Sequence, residues 1–228
     1  MPVSAVVCAS FNKELASEAG RVIAEEAQEL GVQLILAPGL NIHRNPLGGR
    51  NAEYFSEDPI LAGIMAGMYI KGLEKHGIQS SIKHFLANNC ETARKRNNSI
   101  VSERAIREVY LKAFEVAFEV YQPATVMLSY NSVNGIYPAE NEIVLQEVLR
   151  EELNFEGFIM TDWSSEDTID IIKAVQAGVS WITPGSTDDT YVKVILNGLT
   201  EGKIERKRLK ENIYYLLKVM IKNKKVDQ

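Results

Sequence analysis

Short apolar segments alternate with longer amphipathic segments along most of this chain of 228 residues. The apolar segments predict six strands: Val3–Cys8, Gln33–Ala37, Ser81–His84, Thr125–Tyr130, Gly157–Asp162 and Ser180–Thr183. The amphipathic segments predict seven helices: Lys13–Leu30, Pro59–Lys75, Glu103–Val120, Glu142–Glu152, Thr168–Ala177, Asp189–Leu199 and Glu205–Lys222. Most of the strands are apolar on both faces, as in a buried parallel sheet whose strands are joined by helical crossovers.

Residues at the ends of several helices support these boundaries. Asp58 followed by Pro59 is an N-cap with proline at the first helical position, and Ser102 can cap the next helix. A glycine follows each of three predicted helices: Gly31, Gly77 and Gly178. Glycine adopts at low cost the left-handed conformation in which helices commonly end.

Two architectures fit this alternation: a closed (β/α) barrel of the TIM type and a doubly wound open sheet. About six strand–helix units can be counted, whereas a closed barrel of this type needs about eight. The fold is therefore either an open sheet or a barrel of which the chain carries only part. In both cases residues 1–228 are expected to form one α/β domain.

Composition excludes several classes of function. The net charge of −5 argues against binding to nucleic acid, whose phosphates select clustered Lys and Arg. The two cysteines and three histidines are scattered, so the sequence predicts neither a disulfide framework nor a metal site, and no cofactor. No signal peptide and no apolar run of the ~18 residues that span a membrane is visible, so a cytoplasmic protein is expected.

Polar segments follow four of the predicted strands, at residues 38–51, 83–94, 129–135 and 161–163. The loops that follow the strands of a (β/α) barrel share one face, which is where such barrels carry their chemistry. We therefore expect these segments to converge on one cleft. Many hydrogen-bonding groups with a few aromatic rings suit a polyhydroxylated ligand.

Asp162 is the candidate catalytic residue, although an Asp at the end of a strand can simply cap the next helix. The adjacent Trp163 favours catalysis, because an apolar ring beside a carboxylate gives the face of a sugar a surface to stack on. The cations around the cleft are expected to keep Asp162 ionised, as a nucleophile requires.

Lys83 and His84 admit two interpretations. Lys83 either pairs with a local carboxylate or binds a ligand together with His84, because two adjacent buried cations are costly unless they share an anion or donate to hydroxyls. His84 is expected to donate to a hydroxyl rather than to bind a metal, since no partner ligand lies at the spacing of a metal site.

Three further features of the sequence can be interpreted as structural or as part of a binding site. Arg50 is either a surface residue or, after Gly48-Gly49, part of a backbone turn that approaches a ligand closely. Tyr130 is either a core residue or part of the cleft. The segment from Asn51 to Pro59 is expected to be architectural, with Glu53 or Glu57 anchoring the loop.

The chain resembles the N-terminal domain of family 3 glycoside hydrolases, the bacterial β-glucosidase and β-xylosidase type, from about residue 2 to about residue 220. The matching stretches are Ala37–Pro46, Gly49–Asn51, Glu53–Pro59, Lys83–Phe85, Glu91-Thr92, Arg94, Tyr130-Asn131, Asn134-Gly135, Gly157-Phe158 and Thr161–Trp163. Their order and spacing together are specific. The resemblance implies an incomplete TIM-type (β/α) barrel and a carbohydrate substrate.

The resemblance also implies roles for individual residues. Asp162 would be the nucleophile of a retaining β-glycosidase, and Trp163 would line the −1 subsite. Five further positions would bind sugar hydroxyls or orient the nucleophile: Arg50, Lys83, His84, Arg94 and Tyr130. A retaining enzyme places its nucleophile and its acid/base carboxyl group roughly 5–5.5 Å apart on opposite sides of the sugar.

The sequence departs from the family in ways that affect activity. In the glucosidase-type members the acid/base is a Glu of a separate C-terminal sandwich domain, and an earlier strand carries an Asp-Gly motif; neither is present here. Loop 86–90 follows the glucosidase pattern rather than that of the N-acetylglucosaminidase branch. Local departures are Ala52 for Phe, Cys90 for a polar residue, Ala93 for Asn, Ser180 for Asp and Thr183 for Met.

Two hypotheses follow. The chain is part of a retaining β-glycosidase that acts at the non-reducing end of β-glucosides or related sugars, or it is a truncated, inactive paralogue that only binds sugar. Missing barrel strands would expose the edges at Val3–Cys8 and Ser180–Thr183. Self-association, or complementation by a missing domain, is therefore expected.

Overall fold

The computed structural model describes residues 2–222 of the chain. The helices are α1 (Ser4–Ala9), α2 (Lys13–Glu29), α3 (Pro59–Lys75), α4 (Glu103–Ala105), α5 (Lys112–Val120), α6 (Ile171–Ala177), α7 (Thr190–Thr200) and α8 (Arg206–Lys222). The strands are β1 (Leu34–Ile35), β2 (Gln79–Phe85), β3 (Asn98–Ser99), β4 (Thr125–Leu128), β5 (Ser132–Val133) and β6 (Phe158–Met160). Two π-helical segments, Ile106–Tyr110 and Ile143–Glu152, and two 3₁₀ turns, Pro138–Glu140 and Ser165–Asp167, complete the described part.

The main sheet has the order β1-β2-β4-β6, and all of its strand pairs are parallel. Helical crossovers join the strands, so their carboxyl ends lie at the same edge. Strands β3 and β5, which lie in the segments that follow β2 and β4, form a separate parallel pair. The architecture is an incomplete (β/α) barrel, and the predicted α/β class is confirmed.

The predicted strand Val3–Cys8 is wrong, because these residues form most of helix α1. An apolar run this short has no periodicity that separates a strand from a buried helical turn. In the structure the Val7 amide donates to the Val3 carbonyl, and α1 contacts both α2 and α3. Val7 and Cys8 are buried whereas Val6 is exposed, as expected of a helix that packs through one face.

The predicted strand Ser180–Thr183 is reduced to a single parallel bridge between Trp181 and Met160. The Trp181 amide donates to the Ile159 carbonyl at 3.2 Å, and the Thr161 amide donates to the Trp181 carbonyl at 3.1 Å. The chain therefore follows β6 for about one residue pair and then leaves the sheet.

The residues predicted to lie at the beginnings and ends of helices are found there. Asp58 Oδ1 accepts hydrogen bonds from the Ile60 and Leu61 amides at 2.7 and 3.1 Å, and Ser102 Oγ accepts one from the Ala105 amide at 3.2 Å. The glycines after α2, α3 and α6 have positive φ: Gly31 at 68°, Gly77 at 81° and Gly178 at 127°. These boundaries were therefore predictable from local chemistry.

Helix α3 is wedged between α2 and α5 and lies over strand β2. A Cβ atom on Gly72 of α3 would lie 2.0 Å from the Ser17 carbonyl oxygen of α2, and one on Gly20 would lie 2.2 Å from the Tyr69 carbonyl oxygen. On the side of α5, a Cβ atom on Gly63 would lie 2.6 Å from a carbonyl oxygen. The three helices therefore pack backbone against backbone, and their spacing depends on the absence of side chains at these positions.

Replacing Gly72 with Ala separates packing from helix propensity. Propensity alone would stabilise the helix by about 0.5–1 kcal/mol. Because the added methyl group overlaps the Ser17 carbonyl, we expect a net loss of about 1–3 kcal/mol in the free energy of unfolding. Urea denaturation measures this, and Lys75→Ala in the exposed last turn of α3 is the control, with a change within about 0.5 kcal/mol. A Gly72→Ala chain more stable than the wild type would contradict the close packing.

The sheet has two edges in the described part of the chain, at β1 and at the Trp181 bridge. An apolar cavity of about 570 Å³ lies near both edges, lined by Leu34, Phe158 and Trp181 together with residues of α7 and α8. The edge predicted at Val3–Cys8 is therefore at β1 instead. The predicted open edge near Ser180–Thr183 lies next to this cavity.

Because a strand edge and an apolar cavity lie side by side, we expect the chain to self-associate or to have a low melting temperature. Sedimentation velocity over a range of protein concentrations, together with a thermal melt, measures both properties. A chain that stays monomeric at high concentration and melts at high temperature would refute this expectation.

Candidate active site

Asp162 lies just after β6, at the carboxyl edge of the sheet, and is 9% exposed. Its Oδ1 atom accepts a hydrogen bond from the Trp163 amide at 2.7 Å. Its Oδ2 atom lies 3.6 Å from His84 Nε2 and has no hydrogen-bond partner among residues 2–222. The following 3₁₀ turn has Ser164 at its N-cap position, so the alternative that the Asp162 side chain caps the next helix is not realised.

Burial raises the pKa of Asp162 above its ordinary value of 3.8. The Trp163 amide, the Arg50 charge, the Tyr130 hydroxyl and the Arg94 charge each act in the opposite direction and offset part of this rise. The expected effect of the cations is therefore present, but desolvation is larger and the net direction is upward. The cations therefore favour the ionised form, as expected, but they offset only part of the effect of burial.

His84, in strand β2, is 1% exposed and is held through its backbone. Asn41 Oδ1 accepts a hydrogen bond from the His84 amide, and Asn41 Nδ2 donates to the His84 carbonyl, both at 2.9 Å. Burial and the charges of Arg50, Lys83 and Arg94 lower the pKa of His84 well below 6.5. The imidazole is therefore neutral at neutral pH, and it contributes hydrogen bonds rather than charge.

Lys83 and Arg50 share one carboxylate. Lys83 Nζ lies 2.9 Å from Glu53 Oε1, and Arg50 Nε donates to Glu53 Oε2 at 2.7 Å. The interpretation in which Lys83 pairs with a local carboxylate is thus realised. Lys83 nevertheless belongs to the site, because its charge helps to lower the pKa of His84. Arg50 acts on the pKa values of both His84 and Asp162.

Arg94 and Tyr130 contact each other near Asp162. The Arg94 guanidinium carbon lies 4.7 Å from the centre of the Tyr130 ring, and Arg94 Nη1 is 3.3 Å from Glu91 Oε2. The Tyr130 hydroxyl donates to the Trp163 carbonyl. Burial, and after it the nearby Asp162 charge, raises the pKa of Tyr130 to about 12. Trp163 remains 50% exposed at the mouth.

All seven sequence-predicted site residues belong to one connected cluster. The contacts run from Asp162 to His84 and Trp163, from Trp163 through Tyr130 to Arg94, and through two glutamates to Arg50 and Lys83. In the described ranges no group of three or more His, Cys, Asp or Glu side chains is arranged to hold a metal ion.

Glu91 and Lys95 are among the residues of the site for which the sequence predicted no role. Glu91 lies between Arg50 and Arg94, at 3.9 and 3.3 Å from their guanidinium nitrogens. Lys95 Nζ donates to the Ser164 carbonyl and to Asp167 Oδ2, both at 2.7 Å, and so ties the loop after β2 to the loop after β6. Both lie within or next to residues 91–94, which resemble the family, and this resemblance is the signal by which the sequence could have identified them.

Because His84 is buried in its neutral form, we expect the free energy of unfolding to decrease in acid. Its folded-state pKa is lowered, so its contribution to stability is present above the ordinary value of 6.5 and is lost as the pH falls through the folded-state pKa. We expect the free energy of unfolding to fall by up to about 1.4 kcal/mol per pH unit below pH 6.5 because of this group. Urea denaturation of the wild type and of His84→Asn over this pH range measures it, and equal slopes would contradict it.

Ala93 has a φ of 49°, in the left-handed region that costs an Ala about 1–2 kcal/mol and that Asn tolerates better. The family-like residue here is Asn, so Ala93→Asn is expected to stabilise the chain by about 0.5–1 kcal/mol. Ala52→Asn is the control, because Ala52 is also exposed but its φ is not positive. Thermal or urea unfolding that shows equal effects for the two changes would refute this explanation.

A family model described as "Glycosyl hydrolase family 3 N terminal domain" matches residues 1–219. Beta-glucosidase B from Emericella nidulans is 39% identical over 221 residues, which cover 97% of this chain and 26% of that protein. Exo-alpha-(1->6)-L-arabinopyranosidase from Bifidobacterium longum is 44% identical over 207 residues, which cover 90% of this chain and 27% of that protein.

Solved structures of similar proteins share the fold. Beta-glucosidase 3B from Thermotoga neapolitana, solved in complex with glucose, has a TM-score of 0.92 and 44% identity, covering 97% of this chain and 32% of that one. A family 3 beta-glucosidase from Bifidobacterium adolescentis has a TM-score of 0.92 and 39% identity, covering 98% of this chain and 32% of that one.

The chain thus spans about a quarter to a third of the length of the relatives it matches. The match to the family model extends over nearly every residue that the structure describes and includes all seven residues of the cluster. The chain belongs to glycoside hydrolase family 3.

Proposed function

We propose that this chain carries the nucleophile side of the active site of a retaining β-glycosidase that acts at the non-reducing end of β-glucosides or related sugars. The supporting observation is the buried carboxylate of Asp162, whose Oδ2 has no hydrogen-bond partner in the described part of the chain. A carboxylate held in this way has a lone pair available for attack. The names of the relatives, most of them beta-glucosidases, agree with this chemistry.

In the proposed reaction Asp162 attacks the anomeric carbon while the bond to the leaving-group oxygen breaks. The electron pair of that bond goes to the leaving oxygen, which takes a proton from a general acid. Water then attacks the glycosyl-enzyme ester, gives its proton to the same group acting as a base, and releases the sugar and the Asp162 carboxylate. In the glucosidase-type members of the family this group is a Glu of a separate C-terminal domain, and we propose that such a Glu serves here.

The side chains around Asp162 fit the recognition of sugar hydroxyls. Lys83, Arg50 and Arg94 carry several N–H donors, of which only some are used by Glu53 and Glu91. Neutral His84 can donate through Nε2 without adding a second cation beside Lys83. Trp163, half exposed at the mouth, offers an aromatic face for the apolar face of a pyranose.

Sugar preference is a separate question, because the relatives differ in it. The Bifidobacterium longum relative is named an arabinopyranosidase, although it is as similar to this chain as the glucosidases are. An α-L-arabinopyranoside has the shape of a β-D-galactopyranoside without its hydroxymethyl group. A panel of aryl β-glucosides, β-xylosides and α-L-arabinopyranosides therefore distinguishes the substrate classes.

The alternative function is sugar binding without turnover. A general acid contributes a factor of roughly 10²–10⁴ in rate, so a site without one would bind sugar but cleave ordinary glycosides slowly. An activated aryl leaving group needs little protonation and so bypasses this loss. Such a substrate separates a nucleophile that lacks its acid from a site that only binds.

The test uses the 228-residue chain and 2,4-dinitrophenyl β-glucoside. We expect a burst of dinitrophenol with one glycosyl group attached to the peptide that contains Asp162, detected by mass spectrometry. Asp162→Asn should abolish the burst and the label, because the amide is a far weaker nucleophile. Asp189→Asn is the matched control: Asp189 is exposed and its side chain caps no helix, so the burst should remain. Sugar binding without burst or label, seen by calorimetry, would support the alternative instead.

A further inference from the structure

A series of polar contacts connects the loop after β2 with Asp162. Asn88 Nδ2 donates to the Tyr54 hydroxyl at 3.2 Å, and that hydroxyl lies 3.2 Å from His84 Nδ1. On the other side of the ring, His84 Nε2 lies 3.6 Å from Asp162 Oδ2. The side chains of Asn88, Tyr54 and His84 are 1%, 2% and 1% exposed, so water has little access to compete for these contacts.

The orientation of the Asn88 amide sets the donor-to-acceptor direction of these hydrogen bonds. Asn88 Nδ2 also donates to Glu91 Oε1 at 3.1 Å. The reversed amide would place its oxygen against the Glu91 carboxylate, which repels it, so the amide nitrogen faces both partners. The Tyr54 oxygen therefore accepts from Asn88, and its own proton is free to go to His84 Nδ1.

The protonation states of the two rings agree with this direction. Burial raises the pKa of Tyr54 well above its usual range, so the phenol keeps its proton. Burial and three nearby cations hold the pKa of His84 well below 6.5, so the ring carries one proton. With Nδ1 accepting from Tyr54, that proton lies on Nε2 and faces Asp162.

We propose that Tyr54 is a positioning residue that holds His84 in the tautomer with its proton on Nε2, and so directs an N–H group at the unpartnered oxygen of Asp162. The proposal rests on the proposed function of Asp162 for its catalytic meaning. The present 3.6 Å separation is longer than a hydrogen bond, and such contacts commonly shorten when substrate binds. The other tautomer would place the Nε2 lone pair against the carboxylate, which would repel it.

The tautomer can be read directly. Long-range ¹H–¹⁵N spectra of the 228-residue chain labelled with ¹⁵N-histidine show which ring nitrogen carries the proton, and His84→Gln assigns the signal among the three histidines. His76 is an internal reference of the opposite kind, because its Nδ1 faces the Gly72 carbonyl at 2.8 Å and must donate to it. The experiment is made above pH 7 and needs no enzymatic activity.

A set of variants separates Tyr54 from Asp162, since the carboxylate also favours a proton on Nε2. We expect the Nε2–H form in the wild type and in Asp162→Ala, where Tyr54 alone holds it. In the double variant Tyr54→Phe/Asp162→Ala, the population with the proton on Nδ1 should rise about tenfold, the effect of one buried hydrogen bond. Tyr69→Phe in the Asp162→Ala background is the matched control: it removes another buried hydroxyl and should produce no rise.

Three results would overturn the proposal: a proton on Nδ1 of His84 in the wild type, the rise already in Asp162→Ala alone, or no rise in the double variant. The His76 signal shows whether each variant is folded. If the double variant does not fold, Tyr54→Phe/Asp162→Asn takes its place, with Asp162→Asn as its reference and the same rise expected. These outcomes are independent of whether Asp162 is a nucleophile, which the dinitrophenyl glucoside burst tests by itself.

Discussion

The burial of the Asp162 carboxylate at the end of strand β6 is the constraint on which the rest of the site depends. Burial makes the ionised form of Asp162 costly, as the upward direction of its pKa shows. Fixed dipoles and charges offset part of this cost: the Trp163 amide at 2.7 Å, the Tyr130 hydroxyl, and the guanidinium groups of Arg50 and Arg94. These groups come from four separate loops, so the site exists only when the parallel sheet brings the loops together.

The cations of the site are themselves balanced by carboxylates. Glu53 holds Lys83 and Arg50, and Glu91 lies between Arg50 and Arg94. Alternation of charge keeps each flexible cationic side chain in a defined place and leaves some of its N–H donors unused by the carboxylates. Burial is the main cause of the low pKa of His84, and the three neighbouring cations lower it further because they disfavour an additional positive charge.

The two sides of the fold behind this site are packed differently. Helices α2, α3 and α5 approach one another through glycines, which places β2 and its polar carboxyl end firmly. Between β1 and Trp181 the sheet has edges and a nearby apolar cavity. The packed helices therefore support the side of the site that β2 carries, whereas the apolar cavity lies beside the edges of the sheet.

By itself the sequence determined the strand–helix alternation, the helix ends at Asp58, Ser102 and three glycines, and the set of polar residues that meet at the sheet edge. These depend on local chemistry and on the rule that parallel strands end on one side. Only the tertiary structure decided that Val3–Cys8 is helical, since a short apolar run adopts the element that its neighbours can bury. It also decided that Lys83 pairs with Glu53, that burial outweighs the cations at Asp162, and that Tyr54 reaches His84. Those properties depend on distances between residues far apart in the chain, which no local pattern encodes.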